Sequence, residues 1–316
     1  MKNTQDIFRF LGQLPQQMGI EMAPHLPTPE LISISMTSKG HRAFFKPVLE
    51  ERKVLQKFLY HTVRGEHDAV KEMLSNDISL IFKRGQVTDC SGRTFDNISA
   101  FEFVLWALDK PMWTMMLNCL PITEDGKKVI VKLLCQYDKV STEGVTYVLN
   151  GKTVTETHFD FKNTIIKELQ SQVDSIAAQG DKNFAAIDKQ WREGVGGAQR
   201  LLPMHAVYEY CSHDPFHPVS KFTGQPKSSG QFYNSETRQY ENWFVVDSRL
   251  GVDFAIYKYR AKHTRSRIEA PLFSFRSDLS DLRALSKASI NGFINLKFQL
   301  EKQMALDSHP GFLSFD

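Results

Sequence analysis

The sequence has few cysteines and little net charge. Cys90, Cys119, Cys135 and Cys211 are scattered along 316 residues. They lack the Cys-x-x-Cys spacing that a structural zinc site or a thioredoxin-like centre needs. Cys119 and Cys135 lie in apolar runs, where buried thiols are common, and the pattern predicts a reducing compartment. A formal charge of +3 leaves no basic stripe of the kind that nucleic acid or an anionic membrane selects, so no nucleic-acid partner is expected. No apolar run approaches the roughly 20 residues needed to span a bilayer, and Met1-Lys2-Asn3-Thr4-Gln5-Asp6 lacks a charged region leading into an apolar one. Gly194-Val195-Gly196-Gly197 has neither the preceding strand nor the pattern of a phosphate-cradling loop.

What is present is an ordinary globular composition, 41% hydrophobic and 24% charged, with length enough for two domains. Leu55, Phe58, Leu59 and Thr62 recur at helical steps and predict one face of a helix, which Gly65 ends. Ala69, Val70, Met73 and Leu74 predict a second helix, too short to be stable unless stacked. A second pair runs from Gly92 through Ser99–Leu108 to Pro111–Leu117. Ser99 suits its N-cap, and Pro111 suits the first turn of the following helix.

These units resemble ankyrin-type repeats. Thr62-Val63-Arg64-Gly65-Glu66-His67, with Val70 and Leu74, sits at the family's Ala-x-x-Gly-His and Val-x-x-Leu-Leu positions; Ser99-Ala100-Phe101 stands for its Thr-Pro-Leu, and Gly92 for its finger glycine. The chain departs from the family in a longer inter-unit loop, in Asp109 at the inter-helix glycine and in Thr62 at the small alanine. A generic pair of helical hairpins stands as the alternative.

The rest of the chain predicts a mainly α fold with small β-hairpins. Degenerate ankyrin-like helical repeats over residues 53–140 follow an N-terminal arm over 1–52, and an α+β C-terminal domain covers 141–316. Within the arm, Thr4 to Met18 reads as an amphipathic helix and Leu31–Met36 as a strand. Between the helical units, Leu80–Asp89 reads as a projecting hairpin turning at Gly85, where stacked repeats contact partners. Val129–Cys135 predicts a third stacking helix, and Asn150-Gly151 marks a hairpin just past the expected boundary. Helices follow over Phe159–Ile176, through Phe184 to Trp191 and over Ala198–Cys211. At least two of the segments 231–234, 243–246 and 252–257 are expected to be strands, and a terminal helix is expected from Ser280 to Ala305.

For chemistry, His205 and Glu209 lie four apart on a helix, where a carboxylate can orient an imidazole for general-base work. A local ion pair or a satisfied core histidine is the plainer reading. The pair is also similar to part of the motif of a bacterial nucleotidyl-transferring effector family that adds an upstream serine, here Ser171 or Ser175. His213, Asp214 and His217 offer metal-ligand types at no recognised spacing, so no metal site is assigned. Lys258–Arg267 is the densest basic run, read as a solvated loop with phosphate binding as the alternative. Arg84, Gln86 and Trp113 are the residues expected to meet a partner.

The repeat-like half and the segment Val195–Cys211 together resemble ankyrin-containing effectors that intracellular γ-proteobacteria deliver through type IVB (Dot/Icm) secretion systems. Phe312, Leu313 and Phe315 stand where such chains carry an apolar secretion signal, although the glutamate-rich patch often found there is missing. The resemblance implies a bacterial cytoplasmic protein that acts in the host cytoplasm after delivery. It is expected to work as a protein-interaction module that binds and modulates a host or bacterial protein. The alternative is an effector enzyme, a transferase or hydrolase using His205 and Glu209. Nothing in the sequence fixes a cofactor or an oligomeric state.

Overall fold

Pro27 and Pro29 open the first helix instead of ending one. α1 spans Thr28–Ser35, with Pro27 as N-cap and a proline in its first turn, a position where the missing N–H costs nothing. The strand expected at Leu31–Met36 is therefore a helix, whose buried residues Leu31 and Ser35 lie four apart on one face. This computed structural model describes Ala23 and residues 26–261, 264–267 and 272–306. The helix expected over Thr4–Met18 and the residues Phe312, Leu313 and Phe315 lie outside the described residues.

The chain divides into two units, Met1–Phe58 and Leu59–Asp316, and the division falls within α2, Lys39–Val63. In the first unit, Ala23, Leu31 and Phe45 form a small core that Leu26, Ile34, Phe44, Val48 and Leu49 flank. The Arg52 guanidinium donates to the carbonyls of Ala23 and Leu26 at 2.9 and 2.7 Å and to Thr28 at 2.9 Å.

The second unit is mostly helical with two four-stranded sheets. α3 spans His67–Asn76, and a 3-10 turn, Ile78–Ile81, leads into β1, Arg84–Thr88, and β2, Thr94–Ser99. The reversal expected at Gly85 lies instead at Asp89–Arg93. Gly85 pairs with Ile98 inside the sheet, and the Asp89 carboxylate accepts the N–H groups of Ser91 and Arg93, each at 2.9 Å. Ser99 caps α4, Ala100–Trp106, through a reciprocal pair with Glu102, the capping box that its sequence allows. At the next turn Leu108 takes φ 59°, and Asp109 caps α5, Lys110–Asn118, by accepting Met112 N–H at 3.0 Å. Two helix–turn–helix hairpins thus stand where they were expected, with α3 packed on α5 and α4 on α5. α6, Glu124–Glu143, contains the expected third helix and packs on α4.

β3, Val145–Leu149, and β4, Lys152–Glu156, form the Asn150-Gly151 hairpin. β3 joins the edge of β2 through Thr94 and Val148, and Tyr147 lies 5.5 Å from Trp106, ring to ring. The boundary expected between residues 140 and 141 is therefore crossed by a sheet and an aromatic core. A two-stranded hairpin cannot bury its apolar face alone, so it uses the neighbouring strand. Likewise the boundary expected at 52/53 lies within α2.

α7, Lys167–Ala177, follows a π turn at Lys162–Ile166. α8, Phe184–Lys189, runs on through a second π turn, Gln190–Val195, into α9, Gly196–Gln199. Gly194, Gly196 and Gly197, which fall between the two expected helices, are thus inside helical structure. A Cβ on Gly196 would lie 2.6 Å from the Phe254 carbonyl oxygen, so close backbone packing explains its identity. Pro203 breaks the expected helix and caps α10, Met204–Cys211. The second sheet has the order β6-β5-β8-β7, with β5 Gln231–Asn234, β6 Gln239–Asn242, β7 Ala255–Tyr257 and β8 Arg265–Arg267. Residues 243–246 form no strand. α11, Leu272–Leu306, packs on α6 and α7.

Candidate functional site

The turn that closes the first helical hairpin, with the start of α3, borders three cavities. α2 stops at Val63, and Gly65 takes φ 68°, a conformation that L-residues adopt at a cost. Tyr208 on α10 packs against this glycine so closely that a Cβ would lie 2.7 Å from its ring. The Tyr208 hydroxyl donates to the Arg64 carbonyl at 2.9 Å. Glu66 precedes α3 without capping it and pairs with His61. Among the described residues the N–H groups of Asp68 and Ala69 have no partner, so the positive end of α3 is open.

Three cavities border this stretch. One of about 450 Å³ runs between α3 and α5, lined by His67, Asp68, Lys71, Lys110 and Thr114 and faced by Phe222. A second, of about 380 Å³, is lined by Gly65–Ala69 with Tyr208, Gln225 and Ser228. The third, about 330 Å³, lies between Arg64, the β1–β2 turn at Cys90 and Ser91, Arg200 and Phe244. His67 lines the first two cavities and is 9% exposed. Burial lowers its pKa to about 4, so the ring is neutral at pH 7.

Behind the wall lies a buried ionisable layer. His205 is 5% exposed and neither ring nitrogen has a hydrogen-bond partner. Burial, with the nearby His67, lowers its pKa to about 3. Burial raises Glu209 to about 7, partly offset by the Lys258 charge. Lys258 is fully buried, and its ammonium donates to the Glu209 carbonyl at 2.5 Å and to Ser212 Oγ at 2.7 Å. Desolvation lowers this lysine to about 8. Asp278, raised to about 7 by burial, accepts the backbone N–H groups of Lys258 and Tyr259 at 3.1 and 3.0 Å.

Although His205 and Glu209 share α10, His205 has no hydrogen bond to Glu209 or to any other described group. The ring packs edge-on to Phe161 at 6.1 Å. A neutral imidazole without an orienting carboxylate lacks the second half of a general-base pair. Arg84 is half-buried and pairs with Glu102, while Gln86 is exposed and donates to Asp96 at 2.9 Å. Trp113 is 1% exposed: it packs inside α5's contact layer and presents no surface, a correction to its expected role. Lys258 is likewise core rather than part of a solvated basic loop; Lys262 and His263 of that run lie outside the described residues. Among the described residues no three His, Cys, Asp or Glu side chains are placed to hold a metal ion, and no helix is long and apolar enough to cross a membrane. Sequence reading missed the groove because Lys71 and Phe222 are far apart in the chain. Only Gly65 signalled the turn beneath it.

Comparison with known proteins places these features in a family context. Residues 164–300 match the family described as the CBUA0006 C-terminal domain. Over 269 residues, 79% of this chain and 76% of the relative, the chain is 32% identical to uncharacterized protein CBUA0006 of Coxiella burnetii (strain RSA 493 / Nine Mile phase I). No solved structure matches. Tyr208, Glu209, Phe222 and Lys258 fall inside the matched domain, whereas the Arg64–Lys71 wall precedes it.

Proposed function

The chain belongs to the family of CBUA0006, and on that premise we propose that it is an interaction protein that holds an extended segment of a host or bacterial partner protein along the Arg64–Lys71 wall. One observation carries the reading: three cavities are bordered by residues of this single stretch. A groove with polar groups of both signs and unpaired backbone N–H groups suits a polypeptide, which supplies carbonyls and mixed side chains. In this reading the paired helices are degenerate ankyrin-like units. The β1–β2 hairpin, with Arg84 and Gln86, extends the surface from the end where its turn meets Arg64. The chain is then a type IVB-secreted effector, cytoplasmic in the bacterium and active in the host cytoplasm.

Site-specific photo-crosslinking tests this. A crosslinker replacing Lys71 or Thr114 should trap a defined partner in host lysate, whereas one replacing the exposed Lys189 should not. Trapping from Lys189 alone would overturn the proposal.

A further inference from the structure

The cavity at the Arg64 end differs from the other two in being lined by arginine. Arg64 and Arg200 both line it, and among the described residues neither guanidinium has a carboxylate partner. Arg64 rests on the ring of Tyr60, 3.6 Å from its centroid, which holds the planar group in place. Asp89 also lines the cavity, but it is buried, 3.2 Å from Arg93, and accepts two backbone N–H groups, while Glu66 pairs with His61. Ser91 and Ser248 bring hydroxyls to the rim, and Phe244 an apolar wall.

From this arrangement we infer that the Arg64–Arg200 cavity receives the phosphate of a phosphorylated residue in the partner polypeptide. The inference rests on the groove reading above: Arg64 lines this cavity and the next residue, Gly65, lines the second. Guanidinium groups recognise a phosphate dianion by paired, charge-assisted hydrogen bonds, and arginine clusters are a recurrent means of reading phosphorylated segments. At about 330 Å³ the cavity exceeds what a phosphate alone fills, leaving room for the side chain that bears it. Two arginines in one cavity do not make the basic track that a nucleic-acid strand requires.

The full chain is titrated by calorimetry with the N-acetyl amides of phosphotyrosine and phosphoserine, with their unphosphorylated forms, and with inorganic phosphate. A phosphorylated amide should bind and its unphosphorylated form should not, and inorganic phosphate should bind more weakly than the amide. Arg64→Gln and Arg200→Gln should each weaken binding about tenfold, the loss expected for one charge-assisted hydrogen-bonding group. Lys189→Gln, outside the lining of all three cavities, should leave the affinity unchanged. If Arg64→Gln does not fold, the exposed Arg200 gives the same answer. Equal binding of phosphorylated and unphosphorylated amides, indifference to both substitutions, or equal affinity for inorganic phosphate would each overturn the inference. Crosslinking from Lys71 that is as strong in phosphatase-treated as in untreated lysate would overturn it while leaving the groove reading intact. Loss of crosslinking from Lys71 and Thr114, with phosphoamide binding retained, would instead overturn the groove reading.

Discussion

The ammonium of Lys258 is fully buried and donates to the backbone carbonyl of Glu209 at 2.5 Å. It also donates to Ser212 Oγ and lies 4.7 Å from the centre of the Phe216 ring. Backbone N–H groups beside it are held by Asp278 of α11. One lysine therefore fastens α10, the end of β7 and α11 behind the groove. Lys258→Met keeps the stem and removes two charge-assisted hydrogen bonds, leaving the Glu209 carbonyl with only the Ser212 hydroxyl and N–H, and the Ser212 hydroxyl with no donor to accept from. The expected loss is about 3 kcal/mol at pH 7, measured by chemical denaturation. A loss below about 0.5 kcal/mol, the level of a surface change, would contradict the role.

His205 gives the opposite sign. Its ring nitrogens are buried without partners, so His205→Leu removes two unsatisfied groups and should stabilise the protein by about 1 kcal/mol at pH 7. The folded pKa is lowered from 6.5 to about 3. Between these values the unfolded chain takes up a proton that the folded chain refuses, so this stability is fully present above pH 6.5 and is lost as pH falls towards 3. The variant should lack that term, and its advantage over the parent should widen by up to about 1.4 kcal/mol per pH unit below 6.5. Denaturation at pH 7.5 and 5 measures the difference; a constant advantage would contradict it.

Gly65→Ala places a Cβ at φ 68°, 2.7 Å from the Tyr208 ring. The left-handed conformation and the displaced ring together should cost about 2 kcal/mol, read from the thermal midpoint. An unchanged midpoint would mean that the turn does not hold the groove wall in place.

Arg93 is 2% exposed, pairs with Asp89 at 3.2 Å and donates to the Leu201 carbonyl at 2.8 Å. The rings of Trp106, Tyr147 and Phe159 surround it at 5.3–5.5 Å. Arg93→Ala leaves Asp89 charged and buried, and should cost about 4 kcal/mol. Arg93→Ala with Asp89→Ala should cost less than the two single losses summed; strict additivity would show that the pair is not coupled.

Local chemistry explains what was legible beforehand. Gly65, Ser99, Pro111 and Asn150-Gly151 each fix their own turn or cap, and each sits at the expected turn or helix start. Readings failed where a distant partner decides. Position 196 holds a glycine inside a helix because a Cβ there would meet Phe254 and Gly251, not because the helix ends, and Lys258 is core because Glu209, Ser212 and Asp278 receive it. Alternation at Leu31–Met36 was ambiguous over so short a span, and the flanking prolines settled it as helix. The groove was illegible for the same reason: its two sides, around Lys71 and Phe222, meet only after folding.

Amide hydrogen exchange with the crosslinked partner bound tests the central claim most directly. Asp68 and Ala69, whose N–H groups have no partner among the described residues, should exchange fast in the free protein and slow on binding by about tenfold or more. Protection should extend along Arg64–Lys71 and residues 222–229. Protection confined to the outer face of the β1–β4 sheet, with Asp68 and Ala69 unchanged, would contradict the account.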